Sequence, residues 1–211
     1  SFCTYVIENA IVNGVNCVGW SVENGFKLWE YAMRARHFAR LYNKDVTDVS
    51  QKKFISTDMI KKGTLSPELK ALEDASFLDL QHNPSYGKWG NIDEDFELET
   101  FIDVLDAAVD KVNAKLIYVD YLQIIGSSST KSKVERISEA YIKMIQFIKR
   151  KKIAGLFPAQ FKTNIVGNLS NVTPDELANT ELRDSSAESG EVIRTPDKNL
   201  ALYASVLDIK N

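Results

Sequence analysis

Apolar residues are arranged in two ways along this chain. In long stretches they recur every third or fourth residue, as on a helix with one buried stripe; in short runs they are consecutive, as in a strand covered on both faces. Phe2 to Asn13 is the first helical stretch, with Phe2, Val6, Ala10 and Ile11 on one face, and Asn13-Gly14 closes it as a C-terminal glycine cap would. Val15 to Val22 reads as a strand ending in Glu23, and Asn24-Gly25 as a turn. Phe26 to Tyr42 is a second helix, rich in arginine and aromatics. Val46 to Lys62 continues as helical, polar and weakly patterned, and Leu65 to Ala75 is a short helix opened by Ser66-Pro67.

Phe77 to Leu80 predicts a short strand, and Gln81 to Asp95, with Pro84, Gly87 and Gly90, a surface loop. Phe96 to Val112 is amphipathic, burying Leu98, Phe101, Leu105, Val109 and Val112. Leu116-Ile117-Tyr118-Val119 is too short for a helix face and does not alternate, so it predicts a buried strand with Asp120 at its end. Gly126 to Thr130, almost all serine, is a flexible loop. Val134 to Arg150 is a strong helix whose Val134, Ile137, Tyr141, Ile145 and Ile148 step by three or four, and Ile153 to Phe157 is the next buried strand. Phe161 to Thr195 has no periodicity, and so long a loop is usually functional or mobile. Leu200 to Val206 reads as a last strand. Strands alternating with helices predict an α/β fold: a mainly parallel sheet with helices on both faces.

Composition narrows the class. With 211 residues, 44% hydrophobic and 26% charged, the chain fits one globular domain. A net charge of −3 gives no overall basic signature for nucleic acid, although it leaves room for a local basic stripe. Cys3 and Cys17 lack metal-ligand spacing and read as small buried hydrophobes in a reducing compartment. No apolar run approaches membrane-spanning length, and no signal peptide is visible. The chain opens at Ser1 directly into a helical pattern, which suggests a true N-terminus further upstream. His37 and His82 are isolated and read as surface or packing residues; Trp20, Trp29 and Trp89 read as packing. Arg34, Arg36 and Arg40 read as a solvated or subunit-facing stripe, and Lys149 to Lys152 as cations favoured by a helix C-terminus. Lys131 and Lys133 suit either a solvated loop or a channel wall.

Three strands are expected to run out into a polar residue: Glu23, Asp120 and Gln160. In a parallel sheet such strand ends share one edge, the edge where ligands bind. A glutamate there can act as general base toward a water, and an aspartate can hold Mg²⁺ through water against phosphates. A glutamine can hydrogen-bond a γ-phosphate or the attacking water. Taken alone, Asp120 is equally an ordinary strand-end aspartate capping the next turn.

In this order the residues resemble the RecA-like motor domain of the DnaB family of hexameric replicative helicases. Ser1-Phe2 through Asn13-Gly14 resembles the helix after the family's phosphate-binding loop, and Val18-Gly19-Trp20-Ser21-Val22-Glu23 the strand that ends in its catalytic glutamate. Leu116 to Ile125, LIYVDYLQII, resembles the Walker B strand most specifically. Phe157-Pro158-Ala159-Gln160 resembles the strand ending in the sensor glutamine. Glu188-Ser189-Gly190, with Asp197, Leu200 and Tyr203, resembles the loop that grips single-stranded DNA; Leu182-Arg183-Asp184-Ser185 offers a second register for that loop.

The resemblance implies a partial RecA-like ATPase domain over residues 1–211, beginning just after the phosphate loop and ending before the arginine finger, and inactive on its own. It implies ATP and Mg²⁺ as cofactors, with Glu23, Asp120 and Gln160 catalytic and Asp120 the metal residue. Lys162, Arg183, Glu188, Ser189 and Gly190 would contact nucleic acid. The partners implied are single-stranded DNA, further copies of the chain in a hexameric ring, and a primase or helicase loader, in the cytoplasm of a bacterial or phage-infected cell with no membrane association. The sequence departs from the family in having no Gly-x-x-x-x-Gly-Lys-[Ser/Thr], and in Phe161-Lys162 where the family often has Leu-Asn-Arg. Two other readings compete: a RecA- or KaiC-like ATPase that does not unwind, and a non-catalytic RecA-fold loader or scaffold.

Overall fold

A computed structural model describes residues 2–21, 25–91, 96–120, 122, 125 and 130–158. Four strands, β1 (Cys17–Ser21), β2 (Lys88–Asn91), β3 (Leu116–Asp120) and β4 (Ala154–Leu156), form one parallel sheet in the order β2-β1-β3-β4. The helices are α1 (Phe2–Val12), α2 (Gly25–Asn43), α3 (Thr57–Lys62), α4 (Pro67–His82), α5 (Leu98–Val112) and α6 (Lys133–Lys151). Because side chains alternate across a strand, β1 and β3 feed two separate cores. Val18, Trp20, Ile117 and Val119 pack with Phe101 and Leu105 of α5 and Ile137 and Met144 of α6. Cys17, Leu116 and Tyr118 pack on the other face with Ile7 of α1, Met33 of α2 and Leu80 of α4. The expected parallel sheet with helices on both faces is therefore what the chain forms.

Local chemistry sets the boundaries. Ser132 and Glu135 form a reciprocal capping box at the start of α6, and Ser66 caps α4 with Pro67 in its first turn. Asn113 and Lys152 close α5 and α6 in the left-handed region. Asn16 ties the amino edge together, donating from Nδ2 to the Val112 carbonyl at 2.6 Å and accepting from Ser85 Oγ at 2.9 Å. At the opposite edge the Asn91 side chain, at the end of β2, accepts from the Phe26 N–H in the first turn of α2.

Two glycines are dictated by close approach. Trp89 lies across Gly19, its register partner, and stacks on Trp29 with ring centroids 4.0 Å apart. A Cβ on Gly19 would sit 2.3 Å from the Trp89 ring. At Gly87, φ is +66° and a Cβ would meet the Cys17 carbonyl oxygen at 1.8 Å.

Several expectations are corrected. Phe77 to Leu80 is no strand but part of α4, which runs on to His82: Phe77 and Leu80 are one helical step apart and share a buried face with Glu73 and Ser76. The segment expected as a surface loop contains a 3₁₀ turn (Pro84–Tyr86) and the edge strand β2, whose Lys-Trp-Gly-Asn sequence carries almost no strand signal. Only Thr57–Lys62 of the Val46–Lys62 stretch is α-helical, with a 3₁₀ turn at Val49–Gln51. Val134 is exposed in the first turn of α6, and Ala108 rather than Val112 is fully buried on α5. β4 is not buried on both faces; Ala154 is exposed. The buried face of α1 is Thr4, Ile7, Glu8 and Ile11, rotated from the expected Phe2, Val6, Ala10 and Ile11 because it includes a carboxylate.

That carboxylate explains the arginines and His37. Glu8 is wholly buried, with His37 Nδ1 3.0 Å from its Oε1, Arg40 Nε donating to the same oxygen, and Arg36 3.8 Å from Oε2. His37, also buried, meets Asp79 of α4 at 3.1 Å through Nε2. Arg34 bonds Glu30 at 2.9 Å and the buried Glu73 at 2.8 Å. Arg34, Arg36 and Arg40 are thus an internal clamp across α1, α2 and α4 and not a solvated stripe. Burial alone would raise the Glu8 carboxyl, but the hydrogen bonds from His37 and Arg40 outweigh it and hold it below its ordinary value.

Two outcomes follow from this packing. Gly19→Ala should lower stability by about 1–3 kcal/mol, the usual cost of overpacking, as measured by denaturant unfolding. A depressed carboxyl stabilises the fold above its unfolded pKa, and that stability is lost as pH falls through the lower folded value. Glu8→Gln should therefore cost about 3–5 kcal/mol at pH 7, the usual cost of breaking a buried pair. The gap between variant and wild type should close as pH falls below about 4, the ordinary carboxylate range. A pH-independent gap in melting temperature would show that the Glu8 charge does not act in this way.

Candidate functional site

The site is built by strand pairing. In the parallel ladder of β1 with β3, Ser21 is the register partner of Asp120, and both are the last residues of their strands. Register partners on parallel strands present their side chains to the same face. Here it is the face of Cys17, Leu116 and Tyr118, against which α1 packs. α1 runs into β1 through residues 13–16, so its C-terminus lies at the amino edge and its N-terminus at the carboxyl edge, near Ser21 and Asp120. The first-turn N–H groups of a helix and its dipole favour an anion there.

The electrostatics agree with this placement. Burial and then the charge of Asp120 raise the thiol pKa of Cys3, in the first turn of α1. Tyr118 is raised by burial first, then by the Asp120 charge and a hydrogen bond to that carboxylate, so its phenol stays protonated. Cys17, deeper in the same face, is pushed up to about 12 by burial alone. Cys3, Tyr118 and Asp120 therefore share one electrostatic environment.

Ser21 is the unexpected member. It is 3% exposed, and its Oγ is buried without a hydrogen-bond partner. Leaving a buried hydroxyl unsatisfied costs about 1–3 kcal/mol, so such a group calls for a partner. Beside a half-buried carboxylate at a ligand-binding edge, a partner supplied by a ligand or its metal-bound water fits. The donor set is all oxygen, the chemistry of Mg²⁺. Among the described residues no group of three or more His, Cys, Asp or Glu could enclose a metal. That suits an ion held through one carboxylate, waters and phosphates.

Of the residues singled out in the sequence, Asp120 stands where expected, at the end of a buried strand. β1 and β4 flank β3 in parallel and leave by the same edge. Glu23 and Gln160, in the segments that follow those two strands, lie outside the described residues, as do Lys162, Arg183, Glu188, Ser189 and Gly190. The serine loop before Thr130, the polar stretch from Phe161 and the strand expected at Leu200 to Val206 also fall outside them, in whole or nearly so. Lys131 bonds Glu139 at 2.6 Å. Ser21 was missed because it sits inside an apolar run; its even spacing from Cys17 and Gly19, on the face that Asp120 shares, is the signal that could have found it.

No protein-family model matches this chain, and no curated protein matches it. Among solved structures, the ATPase domain of a DnaB-like helicase is similar, with a TM-score of 0.65 and 15% identity over 93% of this chain and 62% of that one. The chain thus spans 62% of the length of that structure. At this identity the likeness is one of architecture: the parallel sheet and its two helical layers form a RecA-like fold.

Asp120→Asn should lower the Cys3 thiol pKa by removing the charge that raises it. Cys3 should then react faster with iodoacetamide at pH 8, while Cys17 stays unreactive in both proteins. An unchanged Cys3 rate, with the fold intact by circular dichroism, would separate Asp120 from the helix N-terminus.

Proposed function

We propose that this chain is part of an ATP-driven DNA helicase motor, in which a RecA-like domain couples nucleotide hydrolysis to translocation on single-stranded DNA. The observation that carries the reading is the in-register pairing of Ser21 with Asp120 at the carboxyl edge, beneath the N-terminus of α1. The similar solved domain supports the same reading. Nucleotide would bind at this edge, between subunits of a homo-oligomeric ring, for which a hexamer is the reading the resemblance favours. Mg²⁺ bound there would neutralise developing phosphate charge, with Asp120 holding it through water and Ser21 Oγ oriented toward the same water shell. Glu23 would take a proton from the attacking water, and Gln160 would hydrogen-bond the γ-phosphate and pass its loss to the following segment. In that segment Lys162 and Arg183 would contact DNA phosphates; Ser189 and Gly190 would offer backbone N–H groups, with Glu188 in the same turn. A primase or helicase loader would be a further partner, in the cytoplasm of a bacterial or phage-infected cell. Among the described residues no helix is long and apolar enough to cross a membrane.

The test uses the full-length protein. Glu23→Gln should cut turnover on the order of 10²-fold or more while nucleotide binding persists, because the amide keeps the shape and loses the base. Asp120→Asn should raise the Mg²⁺ concentration needed for half-maximal rate. Arg183→Ala should weaken binding to all single strands alike and lower the salt slope by roughly one unit. A Glu23→Gln enzyme with near-normal turnover would overturn the catalytic assignment. DNA-stimulated turnover without strand displacement would leave an ATPase that does not unwind.

A further inference from the structure

A second site lies on the outer side of α1. Thr4, Ile7, Glu8 and Ile11 face inward, so Tyr5 and Asn9 project to the opposite side. There, with the C-terminal half of α2 and residues 44–54, they line an open cleft of ≈ 430 Å³. Arg36, Arg40, Lys44 and Lys52 line it, and no carboxylate does. On a chain of net charge −3, that is a local concentration of positive charge.

The cleft is built and not a chance meeting of loose lysines. Asn43, at the end of α2, clamps the far wall: its Nδ2 donates to the Lys53 carbonyl at 2.8 Å, and its Oδ1 accepts from the Lys53 N–H at 2.7 Å. Lys52 and Phe54 flank this clamp. The Arg36 guanidinium lies 4.3 Å over the Tyr5 ring, and its Nε is buried without an acceptor. Glu8 does not satisfy it, because Oε2 is 3.8 Å away and Oε1 is taken by His37 and Arg40. Among the described residues no carboxylate pairs with Lys44 or Lys52. Phe54, at 64%, is the most exposed large apolar side chain among them.

We propose that this cleft binds a nucleotide phosphate, with Arg36, Lys44 and Lys52 on the phosphate oxygens and the base stacked on Phe54. The cations alone would serve any anion; the exposed ring beside them selects a ligand that joins phosphate to a flat apolar face. An acidic peptide would use the lysines and leave Phe54 idle. The nucleotide is either free or one unit of a single strand, since both present the same chemistry. This site does not depend on the assignment at the sheet edge, which involves none of these side chains.

The experiment measures fluorescence anisotropy of two probes, labelled ADP and a labelled oligothymidylate, on the full-length protein in EDTA, so that metal-dependent binding is silent. Lys44→Ala with Lys52→Ala should weaken binding by about tenfold and lower the salt slope by about one to two units. Phe54→Ala should weaken it about fivefold or more. Asp120→Asn should leave it unchanged, which separates this site from the sheet edge. Loss for ADP alone identifies a free nucleotide, and loss for the oligothymidylate alone identifies a strand. Phe54→Ala without effect, beside a loss in the lysine variant, identifies an acidic ligand and overturns the proposal. So does affinity within twofold of wild type for both probes in all variants, or no binding by the wild type. These side chains lie on the surface, and an unchanged melting temperature confirms each fold; Lys52→Glu serves as a second variant if the double substitution melts early.

Discussion

The parallel, in-register pairing of β1 with β3 is the constraint on which the rest of the molecule depends. It places Val18 and Trp20 beside Ile117 and Val119 on one face, and Cys17 beside Leu116 on the other. A slip of one residue would exchange the two cores, sending Trp20 toward α1 and Tyr118 toward α5 and α6. The same register brings Ser21 level with Asp120. Fold and site are therefore one decision: the interaction that fills both cores also aligns the polar strand ends.

The two helical layers hold to the sheet by different means. α5 and α6 present strongly amphipathic faces and pack through aliphatic and aromatic side chains. α1, α2 and α4 mix apolar packing with the Glu8, His37, Arg40 and Arg34–Glu73 interactions. Buried ion pairs contribute less net stability than apolar packing of the same volume, but they penalise misalignment heavily once formed. In this layer they fix how α1 sits against α2, and so where the N-terminus of α1 lies over Asp120. They also occupy Glu8 fully enough to leave Arg36 without an acceptor on the opposite side of α1.

The elements legible in the sequence are those with a strong single period. α5, α6 and β3 were predicted within a few residues, because their apolar spacing admits one reading. β2 was not legible: Lys88, Trp89, Gly90 and Asn91 carry no strand pattern, and the strand exists because Trp89 lies across Gly19 and stacks on Trp29, a tertiary fact. Phe77 to Leu80 misled because a short apolar run fits a strand as well as one turn of a helix. The arginines of α2 misled because their partners, Glu8, Glu73 and Asp79 among them, are distant in sequence. Asp120 was legible as a strand-end acid. Ser21 was not, since a lone serine gains meaning only when pairing sets it beside that acid.

The central claim is that the Ser21–Asp120 edge is where metal and phosphate bind. The most direct measurement is a crystal structure of the full-length protein with Mn²⁺ and a non-hydrolysable nucleotide, read by anomalous scattering. The account predicts a manganese peak about 4 Å from the Asp120 carboxylate, the distance spanned by a metal-bound water hydrogen-bonded to it. It also predicts Ser21 Oγ bonded within the same water shell and phosphates at the N-terminus of α1. Manganese and phosphates bound elsewhere, with Ser21 Oγ still without a partner, would contradict it.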